Sequence, residues 1–378
     1  MWEPLCHDYP SQIICEKVPT TCCHEVNIGK DGYLYPFLDA NCECDFYNYA
    51  EKILGYIGVS PKVACVKAQG DLKSTVGEDR TALERIYNST NGVHQLNSSG
   101  WLEKKTSHCD WFGITCIDEF VIKINLTDNN LTGTVDQKYD DRGLPLPLEL
   151  ESLILKKNHL SGPPFGGNIF FRYRKLTHVD ISKNNFSGAT DILAFPAADH
   201  LDFSQNNFSS IKKYKRFGRA YEVLRMIDLS NNMIKQDASD IFNNIPPNVE
   251  ELILSNNKIK GNLPNPFPVL HKMRNLAMNN NNMNGTLPDN PQSLLQLRKL
   301  DLSNQSENGG FTGSIPAGLS DKLDLTHLNL ANNRLAQNIP PDIGILPKLQ
   351  ALNLSTNELK GSIPSELGKL EGMSFSDT

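Results

Sequence analysis

An eleven-residue pattern, L-x-x-L-x-L-x-x-N-x-L, recurs throughout residues 121–378 of this chain. It is complete over 150–160 and recurs with apolar replacements over 176–186. The ten copies begin at Val121, Leu150, Leu176, Ala198, Leu224, Val249, Met273, Leu297, Leu325 and Leu349. Successive copies start 22–29 residues apart, which is the period of a solenoid whose repeats stack side by side. The pattern therefore predicts one elongated stack of coils with a shared core.

Positions four to six of the pattern, L-x-L, alternate apolar and variable residues, which predicts a short strand with its apolar side chains inward. Strands of neighbouring coils are expected to align as a parallel sheet. The asparagine at position nine is expected to turn inward and satisfy buried backbone groups. It is present in nine copies, at Asn129, Asn158, Asn184, Asn206, Asn232, Asn257, Asn281, Asn333 and Asn357.

Four copies continue with G-x-[IL]-P, at 261–264, 285–288, 313–316 and 361–364. With this ending the text resembles the plant-type extracellular leucine-rich repeat proteins, which include receptor ectodomains and polygalacturonase inhibitors. The resemblance implies an α/β solenoid, a curved coil with a parallel sheet on its concave face. Copies two to five lack the full ending, so we expect the back of the coil to be less regular there.

The segment 73–120 resembles the N-terminal cap of the same family. Apolar residues have helical spacing over 79–87, and residues 109–116 read C-x-W-x-G-I-x-C. Such a lid covers the apolar core at the open end of a coil. Cys109 and Cys116 are predicted to pair locally. An eleventh copy starts at Leu370 and the text stops at Thr378, so a C-terminal cap is missing and we expect the natural protein to continue.

Residues 1–72 hold seven of the nine cysteines, a density typical of a small disulfide-rich module. Zinc is the rival interpretation, but the spacings of Cys22-Cys23 and Cys42-Glu43-Cys44 fit zinc ligation poorly. The cysteine order and the helical spacing over 46–57 resemble the eight-cysteine helical module of plant lipid-transfer proteins, with one cysteine absent. The alternative is a small disulfide-bonded domain of unknown role. Because seven is an odd number, one cysteine is free, forms a disulfide with another chain or has lost its disulfide partner.

Compartment and partner class follow from simpler features. With the cysteines, nine N-x-[ST] sequons favour the secretory pathway and an extracellular or cell-surface location. The formal net charge of −6 offers no basic excess for a nucleic-acid partner, and no apolar run is long enough to span a membrane. Residues 1–6 carry no signal-peptide pattern. The sequons lie at Asn88, Asn97, Asn125, Asn130, Asn185, Asn207, Asn284, Asn304 and Asn353.

Candidate binding residues come from positions two, three and five of the repeat, which are expected to face outward on the concave sheet. His178, Asp180, His200 and Asp202 are predicted to form one patch. Such a patch can hold a divalent metal or act as a pH switch, but recurrence of Asp at position five favours a polar binding patch without metal. The row continues with Arg225, Asp228, Glu251, Arg274, Arg298 and Asp301.

No nucleophile elbow, zinc-protease motif, phosphate loop or dinucleotide fingerprint occurs, so we expect neither catalysis nor a cofactor. The first hypothesis is a secreted or cell-surface recognition module that binds a protein, peptide or polysaccharide on its concave face. The alternatives are a structural or scaffold subunit of an extracellular or lumenal assembly, and a lipid-binding head on a repeat scaffold.

Overall fold

The computed structural model describes residues 75–135, 146–164, 173–213, 223–265, 270–288, 294–305 and 309–370, and the backbone of four earlier strands. The chain divides into two compact units, Met1–Lys73 and Ser74–Thr378. In the first unit, the described strands form two antiparallel pairs: β1 (Trp2–Tyr9) with β2 (Gln12–Pro19), and β3 (Glu25–Ile28) with β4 (Leu34–Phe37). The lipid-transfer resemblance implied helices, and these strands do not match it. The predicted helical stretch over 46–57 lies outside the described residues, and so does the pairing of the seven cysteines of residues 1–72.

The second unit begins with the predicted cap. Helix α1 (Val76–Ser89) starts at a capping box formed by Thr75 and Glu78, and two 3-10 turns follow, Gly92–His94 and His108–Asp110. The predicted Cys109–Cys116 disulfide is present, with sulfurs 2.07 Å apart. Within the described ranges, every helix falls short of the length and apolar content that a bilayer span requires.

The strands of the ten repeats form one long sheet, as predicted. The ten repeat strands pair in parallel. One strand of the cap pairs antiparallel with the first of them, so the sheet has eleven strands. In spatial order the strands are β5 (Ile114–Ile117), β6 (Phe120–Asn125), β8 (Ser152–Ile154), β10 (His178–Asp180), β12 (His200–Asp202), β14 (Met226–Asp228), β15 (Glu251–Ile253), β17 (Asn275–Ala277), β19 (Lys299–Asp301), β21 (His327–Asn329) and β23 (Ala351–Asn353). We call the outward side of this sheet the concave face.

The opposite edge of the coils carries a second row of short strands, which breaks at the fifth repeat. There, α2 (Ala238–Phe242) follows the turn in place of a strand. The first group is β7 (Thr132–Gly133), β9 (His159–Gly162), β11 (Asn185–Thr190) and β13 (Asn207–Ile211). The second group is β16 (Lys260–Gly261), β18 (Asn282–Thr286), β20 (Gly310–Gly313), β22 (Arg334–Asn338) and β24 (Glu358–Lys360). Late coils return through 3-10 turns at Ala317–Asp321, Pro341–Ile345 and Ser365–Lys369.

The position-nine asparagines form the predicted ladder inside the coils. From the second coil on, each amide nitrogen donates to carbonyls of its own and the preceding coil, while the amide oxygen accepts a backbone N–H of the preceding coil. In the first coil, Asn129 bonds Gln95 and Asn97 of the cap instead. The eighth coil, which lacks this asparagine, uses Gln305 instead. Its side chain is fully buried, accepts from the Met283 N–H at 3.1 Å and donates to the Met278 carbonyl at 2.9 Å.

A lysine lies within the apolar interior of the later coils. Lys322 is only 1% exposed and holds the place that Leu294 and Leu346 take in the neighbouring coils. Burial lowers the pKa of Lys322, and the nearby Asp321 carboxylate only partly opposes it. The folded state therefore disfavours the charged ammonium.

Replacing Lys322 with leucine is expected to raise the free energy of unfolding at pH 7 by about 1–3 kcal/mol, because a buried ammonium gives way to an apolar side chain. Since the lysine pKa is lower in the folded state, the unfolded chain binds more protons between the two pKa values. Wild-type stability should rise with pH there, and the advantage of leucine should shrink. Urea unfolding at several alkaline pH values measures both effects, with the exposed Lys369→Leu as the control. An unchanged or lower stability of Lys322→Leu would contradict this account.

Candidate functional site

The predicted His–Asp patch is assembled by two adjacent strands of the long sheet. His178 of β10 lies directly opposite His200 of β12, and their ring centroids are 5.8 Å apart. Asp180 and Asp202 are paired in the same register, two residues further along each strand. The sequence therefore placed these four residues together correctly.

A lysine that the sequence did not single out lies between the two carboxylates. The Nζ atom of Lys156 is 3.1 Å from Asp180 Oδ2 and 3.7 Å from Asp202 Oδ2. Burial alone would lower the pKa of Lys156, but hydrogen bonds and charges from both carboxylates outweigh it and raise that pKa. Asp180 is only 8% exposed, so the expectation that it faces solvent is wrong. An ammonium therefore lies where a metal at these carboxylates would have to bind.

Position-five aspartates have a structural role that explains their recurrence. Asp180 Oδ1 accepts from the backbone N–H and the hydroxyl of Ser182, at 3.0 and 2.6 Å. Asp202, Asp228 and Asp301 accept in the same way from the serine two residues later, whose backbone N–H lies 2.8–3.1 Å away. Burial raises the pKa of Asp228, although its bonds to Ser230 oppose the shift. One oxygen of each carboxylate thus binds the backbone at the strand end. The second oxygen contacts Lys156 in Asp180 and Asp202, and Asn329 in Asp301.

Three position-two side chains form an ion-pair bridge beside the strands. Glu250 accepts from Arg225 Nη1 at 2.6 Å and from Arg274 Nη1 at 2.8 Å. The Glu250 side chain is 16% exposed, whereas both arginines are about half exposed. The sequence predicted the arginines as binding residues but gave Glu250 no bridging role. It also predicted Glu251 and Arg298, which are both exposed.

The sequon asparagines differ in what surrounds them. Asn88, Asn97, Asn185 and Asn207 are exposed. The Asn130 amide nitrogen donates to the His94 carbonyl. Asn125 and Asn353 lie on the long sheet and accept from Thr127 and Ser355. Asn284 and Asn304 are partly buried.

Among the described residues, one cluster has ligand atoms close enough to hold a metal, and it lies away from the His–Asp patch: His108 with Cys109 and Cys116. Both thiols of that cluster are in the disulfide, so they are not available as thiolates.

Comparison with known proteins agrees with this geometry. Residues 76–117 match the family described as leucine rich repeat N-terminal domain. Residues 248–270, 324–346 and 348–370 match the family described as Leucine Rich Repeat. The chain carries a leucine-rich repeat domain.

Solved structures resemble this leucine-rich repeat domain at low sequence identity. The match with the PEPR1–AtPEP1 crystal structure spans 79% of this chain and 44% of that receptor chain, with a TM-score of 0.59 and 23% identity. A second match is the Arabidopsis receptor kinase HAESA in complex with the peptide hormone IDA and the co-receptor SERK1. This match spans 77% of this chain and 52% of that chain, with a TM-score of 0.55 and 21% identity. At these identities the likeness shows the fold.

A curated relative matches about a third of the chain. Toll-like receptor 2 of Mus musculus is 32% identical over 127 residues, which is 33% of this chain and 15% of that receptor. The chain thus spans a small part of the curated relatives it matches, and about half of the receptor structures that resemble it.

Proposed function

We propose that this leucine-rich repeat domain is a non-catalytic recognition module, extracellular or at the cell surface, that binds a protein or peptide along its concave face. The observation that carries the proposal is the Arg225–Glu250–Arg274 bridge. It holds two half-exposed guanidinium groups in fixed positions on a face built from ten registered strands. Charges that are already ordered lose less conformational entropy when a partner binds.

The surroundings of this bridge favour a polypeptide over a polysaccharide. Met226 and Ile253 are partly exposed between charged residues of both signs, namely Glu251, Asp228 and Arg274. Protein interfaces combine such apolar and charged groups, and arginine is enriched in them. The PEPR1–AtPEP1 and HAESA–IDA complexes also favour a polypeptide partner, by analogy of fold.

Further along the face, the His178–His200 pair and the Asp228 carboxylate oxygen that does not bind Ser230 offer polar contacts to a ligand. Arg298 and Asp301 extend the surface toward the ninth coil. Together these residues make a row of polar contacts on both sides of the arginine bridge.

Replacing Arg225 and Arg274 together with alanine is expected to reduce partner capture at least tenfold, since central interface arginines often contribute more than about 1.4 kcal/mol. The immobilised chain is incubated with native extract, and captured proteins are quantified by mass spectrometry. Arg334→Ala is the matched control, because Arg334 is similarly exposed and ion-paired with Glu358 but lies on β22, away from the concave face.

Partners that survive the double substitution but are lost with Arg334→Ala would contradict the proposal. They would favour the alternative of a structural or scaffold subunit whose contacts lie outside the concave face.

A further inference from the structure

The eighth position of the repeat has a left-handed backbone in every coil. Its φ angle lies between 52° and 57° in all ten coils. Asparagine tolerates this conformation better than other residues with a side chain, because its short amide can hydrogen-bond locally. The residues are Asp128, Lys157, Lys183, Gln205, Asn231, Asn256, Asn280, Asn304, Asn332 and Thr356.

Five of these ten positions hold asparagine, but the second and third coils hold lysine. Lys157 and Lys183 both have φ of 56°, a conformation that a lysine side chain does not favour. The repeat turn enforces this conformation in every coil, so the two lysines adopt it at a cost that asparagine would largely avoid. The two lysines are neighbours, because the backbone N–H of Asn158 donates to the carbonyl of Lys183 at 3.1 Å.

Both lysines border one surface hollow of about 330 Å³ at the edge of the first three coils. Its other lining residues are Leu96, Asp128, Asn130, Asn158 and His159. Lys157 Nζ bonds Asp128 Oδ2 at 2.6 Å, but both side chains are more than half exposed, and exposed ion pairs are weak. In the described part of the chain, no group pairs with the Lys183 ammonium or the His159 imidazole. The hollow thus has more cationic than anionic groups.

An apolar residue forms part of the same hollow. Leu96 is 72% exposed, although it is large and aliphatic. A ligand that suits the hollow therefore carries a negative charge and an apolar side chain close together. Polysaccharides supply the charge but no aliphatic side chain, whereas an acidic peptide supplies both.

We propose that this hollow is a second binding site, distinct from the concave face, for an acidic segment of a protein partner. A carboxylate of that segment binds the ammonium groups of Lys183 and Lys157, displacing Asp128 from Lys157. An adjacent apolar side chain covers Leu96. These two coils have lysine at the left-handed position because asparagine cannot supply the positive charge that binds the carboxylate.

The test measures peptide binding and stability on the same variants. A dye-labelled peptide of sequence DELDE is titrated by fluorescence anisotropy at low salt, with its uncharged counterpart NQLNQ as the probe control. All proteins are produced in the bacterial periplasm, which adds no N-linked glycans of this type, because the sequon asparagine Asn130 lines the hollow and Asn185 lies one coil along. We expect Lys183→Asn to weaken DELDE binding about threefold to tenfold, and Lys157→Asn with Lys183→Asn to abolish it.

The same double substitution should raise Tm by about 1–4 °C, because asparagine relieves the left-handed strain. Lys258→Asn, at an exposed position of the sixth coil, should leave binding unchanged. Loss of binding together with higher Tm is the expected result. The proposal is overturned if the double variant still binds DELDE, if NQLNQ binds equally well, or if heparin binds through these lysines while DELDE does not.

Discussion

Replacing Asn257 with alanine is expected to lower the free energy of unfolding by about 2–5 kcal/mol. The Asn257 amide oxygen accepts from the Ile234 N–H at 3.0 Å, and its nitrogen donates to the carbonyls of Leu229 and Leu254 at 2.9 and 3.1 Å. All of these groups are buried, so water cannot replace the lost amide. Each buried backbone group left without a partner costs about 1–3 kcal/mol.

The neighbouring Lys258→Ala is the control, because Lys258 is exposed and one residue away. It should change stability by less than about 0.5 kcal/mol. Urea unfolding followed by circular dichroism measures both variants. If Asn257→Ala and Lys258→Ala unfold at the same urea concentration, the ladder does not hold the coils together in the way described.

Trp111→Ala is expected to destabilise the cap by about 3–5 kcal/mol, because it removes a large buried side chain from the end of the core. Trp111 is 1% exposed and packs against Trp101, with ring centroids 4.9 Å apart. The guanidinium carbon of Arg80 lies 4.9 Å from the indole centroid. Loss of this contact network should unfold α1 before the later coils, since each repeat contacts only its neighbours.

The adjacent Phe112→Ala is a matched control, because Phe112 is also aromatic but 37% exposed. Hydrogen exchange with mass spectrometry should show faster exchange over Val76–Ser89 for Trp111→Ala and little change for Phe112→Ala. Equal exchange in the two variants would mean that Trp111 does not anchor the cap.

The spacing of the repeats determined most of the architecture. Local chemistry that recurs every 22–29 residues determines the alternating strand and the inward asparagine of each coil. Both features could therefore be predicted from the sequence. The cap was predictable for the same reason, since its cysteine and tryptophan pattern is local. The register of the sheet then follows, which is why His178 and His200 were correctly expected to be neighbours.

The tertiary structure decided the details that depend on side chains about one repeat apart. Lys156 reaches Asp180 across 24 residues, Glu250 bridges Arg225 and Arg274, and Gln305 replaces a ladder asparagine. Long flexible side chains can extend in several directions, so the sequence cannot tell which neighbour they reach or which hollow they border. Repeat spacing alone sets the backbone of each coil, but only packing between coils fixes which charges are neutralised inside the stack and which remain for a partner.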